Sequence, residues 1–204
     1  MALATYTDLQ TSIASWLNRS DLTANIPDFI ALAEARISRD LRLRSQVTSA
    51  VISTVAGSQG ASLPTGWLEF ENVSVTSSPD VQLTYVNIQY LDTKFPNNSY
   101  TGCPVVYSIE GQQILFGPIP DAAYSVNVLY YKKYDALSVT PTNWLLTNHP
   151  GIYLWASLAE SAPFLRDDER ALVWETKYQR EMEALQESDT SGQFSGSALR
   201  VRSV

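Results

Sequence analysis

The chain has 204 residues, which is enough to bury the core of one domain, or of one domain with a large insertion, without disulfides. Hydrophobic residues make up 45% of the sequence and exclude a disordered chain, and the net charge of −7 argues against non-specific nucleic-acid binding by the whole molecule. The single cysteine, Cys103, excludes a disulfide framework. We expect neither a signal peptide nor a membrane span.

Two amphipathic helices are predicted at the beginning. The first lies in TYTDLQTSIASWLNRS (5–20), with Thr7 as its cap and Gln10 at the capping-box position. The second lies in IPDFIALAEARISRDLRLRS (26–45), where Pro27 suits a first turn. Apolar residues recur every three or four positions in both, so each helix has one face to bury.

The periodicity then changes to that of strands. Residues 46–57, 63–77 and 81–86 are rich in β-branched and aromatic residues and read as three strands. Residues 87–96 predict a short helix capped by Asn87. Residues 104–120 predict a hairpin that turns at Glu110–Gly111–Gln112, and residues 123–137 predict a further strand, which alternates apolar and polar positions. The total is about six strands.

The helical period returns at Asn148, and Pro150 suits the first turn of a helix there. Pro163 and Asp167 separate this helix from the last one, which Asp167 caps. The last helix presents a narrow apolar seam suited to packing on another helix. The Gly- and Ser-rich end of the chain predicts an extended arm.

The expected fold class is α+β, because helices and strands are segregated along the chain. We expect the N- and C-terminal helices to form a bundle with a β-rich central insertion. The corresponding segments are the first half of the bundle at 1–45, the insertion at 46–139, the second half of the bundle at 140–187 and the extended C-terminal arm at 188–204.

Catalytic chemistry has little support in the sequence. His149 is the only histidine, and the carboxylates of residues 168–183 alternate with Arg and Lys as on a solvated helix face. No phosphate-binding loop, nucleophile elbow, HExxH zinc motif or dinucleotide glycine pattern is present. We therefore expect no enzymatic activity, no metal and no cofactor.

Two features are candidate protein interfaces. The first is an arginine cluster of the second helix, in which Arg36, Arg39 and Arg42 are spaced by three on a second face and Arg44 ends the run. The arginines either pair within the chain, as Arg36 with Asp40, or dock on an acidic protein surface. Contact with DNA phosphates is the weakest option. The second is the C-terminal arm, which is either disordered or adds as a strand to another subunit. The candidate residues are Arg36, Arg39, Arg42, Arg44, Phe194, Leu199, Arg200, Val201 and Arg202.

The order and spacing of three stretches resemble head-to-tail adaptor (connector) proteins of short-tailed bacteriophages. They are residues 1–44, the segment ILFGPIPDAAYSVNVLYYKKYDALS (114–138) and the segment NWLLTNHPGIYLWASLAESAPFLRDDERALVWETKYQREM (143–182). The resemblance covers nearly the whole chain apart from the tail, and none of its motifs is catalytic.

The resemblance implies a virion structural protein at the junction of capsid and tail, assembled in the host cytoplasm. Its implied partners are other copies of the chain, in a ring that is typically dodecameric, the portal protein, and a tail nozzle or tube protein. DNA is expected to pass through the channel without specific binding. A nozzle or baseplate subunit is the alternative, and an enzyme acting on the cell surface is a more distant one.

Overall fold

The computed structural model describes residues 3–76, 80–96, 100–165 and 168–193. The helices are α1 (Tyr6–Leu17), α2 (Ile26–Asp40), α3 (Ile88–Lys94), α4 (Trp144–Asn148), α5 (Pro150–Leu165) and α6 (Asp168–Gln193). The strands are β1 (Val47–Ser53), β2 (Gly60–Ser62), β3 (Trp67–Val75), β4 (Val81–Gln82), β5 (Thr84–Tyr85), β6 (Val106–Glu110), β7 (Gln113–Gly117) and β8 (Ser125–Lys132). The predicted α+β class is confirmed.

The chain divides into two compact units. Residues 1–45 and 134–204 make up a helical unit, and residues 46–133 make up a β-rich unit. None of the helices in the described ranges combines the length and the apolar character needed to cross a lipid bilayer.

The N-cap of the first helix lies two residues before the predicted one. Thr5, not Thr7, is the N-cap: its hydroxyl accepts a hydrogen bond from the Asp8 amide at 3.2 Å. Asp8 in turn accepts from the Thr5 amide at 3.0 Å, so the capping-box partner is Asp8 and not Gln10. The prediction was wrong because Thr7 and Thr5 are both good caps, and only Thr5 has a carboxylate three residues later.

The helical unit is organised around α5, which packs on α1, α2, α4 and α6. Tyr153 and Leu158 of α5 are fully buried, and Pro150 begins the helix as predicted. The core also receives one apolar face from each neighbouring helix, with the buried residues Leu9, Ile13, Ile26, Ile30, Ala33, Ile37, Trp174, Tyr178, Met182 and Leu185. Because α5 is covered on several sides, its apolar residues are not confined to one narrow stripe.

Three boundaries in this unit differ from prediction. Helix α4 begins at Trp144, before the predicted return of the helical period at Asn148. Helix α5 continues through Pro163 to Leu165, so the proline does not end it. Helix α6 continues to Gln193, so residues 188–193 are helical and not part of an extended arm. The predicted cap Asp167 lies outside the described residues.

The β-rich unit contains two four-stranded sheets, in the orders β1-β8-β3-β4 and β2-β7-β6-β5. In the first sheet β8 pairs antiparallel with β1 and β3. Val126 and Val128 are buried in the core and alternate with the exposed Ser125 and Asn127. These two valines share one hydrophobic cluster with Ile114 and Phe116 of the second sheet. The two sheets therefore enclose a single core.

Most local predictions in this unit are confirmed. Asn87 caps α3 by accepting from the Tyr90 amide at 2.7 Å. The β6–β7 hairpin turns at Gly111, which has a φ of 59° that favours glycine. The segment predicted as a single strand at 81–86 is instead two short strands, β4 and β5, which belong to different sheets. With the short strand β2 included, the described residues contain eight named strands and not six.

Candidate functional site

The prediction that Arg36, Arg39 and Arg42 share one face of the second helix is wrong for Arg42. Helix α2 ends at Asp40, and Leu41 is already extended, so Arg42 and Arg44 lie beyond the helix. The Arg42 guanidinium folds back and donates to the carbonyl oxygens of Ser38 at 2.8 Å and Leu41 at 2.7 Å. Arg42 therefore helps to satisfy the C-terminal carbonyls of α2, a role suited to a cation at that helix end.

Arg36 lies at the centre of an ion-pair network that connects three helices. Its guanidinium donates two hydrogen bonds to the Glu175 carboxylate of α6, at 2.8 and 2.5 Å. It also contacts Glu160 of α5 at 3.4 Å and Asp40 of α2 at 3.7 Å. The predicted internal pair with Asp40 is therefore present, but the two-pronged contact with Glu175 is the stronger one.

The environment of Arg36 also stabilises its charge. The guanidinium lies 4.4 Å from the ring centroid of Tyr178, within the range of a cation–π contact. The hydrogen bond to Glu175 raises the pKa of Arg36, and the same bond lowers the pKa of Glu175. Burial, helped by the nearby Asp40 carboxylate, raises the pKa of Tyr178 to about 12. All three groups keep their ordinary charge at neutral pH.

The remaining two arginines are more exposed. Arg39 has 74% of its side chain accessible and contacts only the adjacent Asp40, at 3.2 Å, among the ion pairs of the described residues. Arg44 donates through its backbone amide and its Nε to the carboxylate of Asp189, at 3.2 and 3.1 Å. This contact attaches the segment after α2 to the last turns of α6.

An apolar groove beside Arg36 has no counterpart in the sequence predictions. It has a volume of about 320 Å³, and we call it the alanine groove because three alanines of α5 and α6 line it. Leu172, in the second turn of α6, stands on its rim with 73% of its surface exposed. The lining residues are Arg36, Ala159, Ala162, Pro163, Ala171, Leu172 and Glu175.

Of the residues considered for catalysis, His149 and Glu175 have identified neighbours in the described part of the chain. His149 follows the end of α4, and its ring centroid lies 5.6 Å from that of Trp144. Glu175 belongs to the Arg36 network described above. Within the described ranges, no three residues among His, Cys, Asp and Glu converge as a metal site would require.

The candidate interface residues of the C-terminal arm are not among the residues that the structure describes. Phe194, Leu199, Arg200, Val201 and Arg202 all lie outside the described residues. The structure fixes the position from which they depart, since α6 ends at Gln193.

Comparison with known families gives a match that covers almost the entire chain. The model of the SU10 adaptor protein family matches residues 4–202. No curated protein sequence is similar enough to this chain to count as a match. The family match includes residues of both units.

Proposed function

Because the chain belongs to the SU10 adaptor protein family, and so is a bacteriophage adaptor and a structural component of the virion, we propose that it forms a ring beneath the portal. The ring has twelve copies, continues the DNA channel of the portal and carries the nozzle or tube of the tail. The observation that supports this proposal is the family match from residue 4 to residue 202, which includes both units and the C-terminal segment.

The helical unit is proposed as the assembly scaffold. Its two halves come from opposite ends of the chain, in the manner of a bundle with the β-rich segment as an insertion. Contacts such as those between Arg36 and Glu175 and between Arg44 and Asp189 join these halves. A scaffold connected in this way keeps its surface fixed while the arm and exposed side chains contact neighbouring proteins.

The four arginines have different proposed roles. Arg36 is occupied by carboxylates of its own chain, whereas Arg39 is largely exposed and has only its neighbour Asp40 as an ion-pair partner in the described part of the chain. Arg39 is therefore the arginine we assign to docking on an acidic surface of the portal or of the next copy. Arg42 and Arg44 support it by holding the end of α2 in place.

The overall charge is compatible with a channel component. A net charge of −7 gives no general attraction for the DNA backbone, and an acidic channel wall repels phosphates and lets the duplex slide. DNA passage without specific binding is therefore part of the proposal.

The test is the mass of the purified chain by light scattering, alone and mixed with the portal ring of the same phage. A stoichiometric complex is expected, with imaging of that complex to count the copies. Absence of any complex at several salt concentrations would reject the portal-docked ring and favour a nozzle or baseplate subunit.

A charge-reversal pair tests the arginine assignment. Arg39→Glu is expected to weaken portal docking, because it places a carboxylate against an acidic surface. Arg19→Glu is the matched control, since Arg19 is another exposed arginine of the helical unit and pairs only with nearby Asp21 in the described region. Equal docking by both variants would remove Arg39 from the interface.

A further inference from the structure

The alanine groove is open because its floor is made of small side chains. Ala159 and Ala162 of α5 face Ala171 of α6, and the methyl groups leave room for a larger apolar side chain from outside. The edge of the groove is also apolar at Leu172, which is 73% exposed. An exposed apolar rim around an apolar pocket is the pattern of a site that receives an anchoring side chain.

The charge beside the groove specifies the chemistry of its occupant. Arg36 contacts three carboxylates, those of Asp40, Glu160 and Glu175, and Arg39 also pairs with Asp40, so the cluster keeps an excess of one negative charge. A segment that fits both features combines apolar side chains with basic ones.

The C-terminal segment of this chain has that composition. In SALRVRSV (197–204), Leu199 and Val201 alternate with Arg200 and Arg202. The segment thus offers apolar anchors for the groove and cations for the carboxylates around Arg36.

The reach of the chain limits which copy can bring Leu199 to Leu172. Leu172 and Gln193 lie on the same helix, 21 positions apart, a separation of about 32 Å. From Gln193 to Leu199 the chain spans at most about 22 Å even when fully extended. Leu199 therefore cannot reach the groove of its own chain at Leu172.

We propose that the C-terminal segment around Leu199 inserts into the alanine groove of a neighbouring copy, with Arg200 and Arg202 near that copy's Glu160 and Glu175. Each copy then gives one arm and receives one arm, which is a head-to-tail contact of the kind that closes into a ring. This inference rests on the proposed ring and identifies the surface through which its subunits are joined.

Disulfide trapping tests the contact directly in the full-length chain. Cys103 is replaced by serine, and Leu172→Cys and Leu199→Cys are introduced together, so that the only two thiols are on the rim and on the arm. The variant is mixed with the portal ring and oxidised gently. Because a disulfide requires Cα atoms about 4.4–6.8 Å apart, a 172–199 bond forms only between copies if the reach argument holds. The expected result is a ladder of covalent multimers on a denaturing gel.

The control exchanges the groove position for another exposed apolar residue of the same unit. Val139→Cys with Leu199→Cys, again without Cys103, is expected to lose the ladder, since Val139 is 80% exposed and does not line the groove. A ring that assembles without a 172–199 ladder overturns arm exchange and leaves the adaptor ring standing. Failure of the wild-type chain to assemble with the portal instead counts against the proposed function itself. A 172–199 bond within one chain also overturns the exchange.

A second pair of variants covers the case in which the cysteines disturb assembly. Leu172→Lys puts a cation on the apolar edge of the groove that Leu199 is proposed to contact, and a loss of ring formation is expected. Val173→Lys is the control, because Val173 is the adjacent exposed residue but does not line the groove. Ring formation by Leu172→Lys at the wild-type level would overturn the proposal. So would cross-linking of a photoreactive group on Leu199→Cys to the portal and not to another copy.

Discussion

Arg36 on α2 and Glu175 on α6 are joined by two hydrogen bonds, although 139 positions separate them in the sequence. Arg36 has only 17% of its side chain exposed, whereas Glu175 has 38%. The contact connects a helix from the beginning of the chain with one from its end. Its strength and its response to pH can therefore be measured as properties of the helical unit.

Arg36→Gln is expected to lower the free energy of unfolding of the helical unit by about 1–2 kcal/mol. The substitution leaves Glu160 and Glu175 without their shared cation, and the partial exposure of Glu175 keeps the loss below that of a fully buried pair. Urea unfolding followed by tryptophan fluorescence measures it. Arg39→Gln is the control and should change stability by less than about 0.5 kcal/mol; equal losses for the two would contradict the assigned role of Arg36.

The contribution of Glu175 should depend on pH in a definite direction. Arg36 lowers the pKa of this carboxyl from its ordinary 4.5 in the folded state, so the folded protein binds its proton less readily than the unfolded chain does. The stabilisation is therefore fully present above the ordinary pKa and is lost as pH falls through the lowered value. Unfolding of the wild-type chain and of Glu175→Gln at several pH values should show the difference narrowing in acid. In an Arg36→Gln background that pH dependence should largely disappear.

Asn143 is expected to be sensitive because one side chain has two tasks. Its Oδ1 caps α4 by accepting from the Leu146 amide at 2.9 Å, and its Nδ2 donates to the hydroxyl of Tyr153 at 2.8 Å. Tyr153 is only 1% exposed, so Asn143→Ala removes a cap and a partner of a buried hydroxyl, at a cost of about 2–3 kcal/mol. Asn143→Asp keeps a capping oxygen and accepts from the hydroxyl, and it should recover most of the loss in urea unfolding. No recovery would show that the amide donor itself is needed.

Gly117 is a position in the β-rich unit where any side chain is too large. A Cβ there would lie 2.8 Å from the Phe95 ring and 2.9 Å from a Leu91 methyl group. Gly117→Ala is expected to destabilise this unit by about 1–3 kcal/mol through overpacking. Amide hydrogen exchange, which reports on each unit separately, should show faster exchange in residues 46–133 and unchanged exchange in the helical unit. Gly102→Ala is the control, since its Cβ makes only an ordinary contact with Pro118 at 3.6 Å.

The sequence predicted those features that depend on local chemistry. The cap Asn87 and the turn glycine Gly111 were identified because a capping oxygen and a positive φ are requirements of single positions. The alternation in β8 was visible because it has one face toward the core. The end of α5 was not predicted correctly, because Pro163 is accommodated inside the helix and does not terminate it.

In the candidate site, too, local contacts were predicted from the sequence and contacts between distant helices were not. The sequence identified Arg36 and its pairing with Asp40, since positions four apart on a helix are neighbours. It did not identify Glu175 as the main partner or Ala171 as part of a groove, because their proximity to α2 and α5 depends on how α6 packs.

The amino-acid sequence by itself determined the fold class, the order of most elements and the family of this protein, since these follow from periodicity, caps, turns and a pattern extending over nearly the whole chain. Only the tertiary structure decided that Arg36 is held inside its own subunit, that Arg39 is exposed, and that an apolar groove lies open beside Leu172. The physical reason is that exposure and pairing are properties of packed helices, and packing brings together side chains that no local pattern connects.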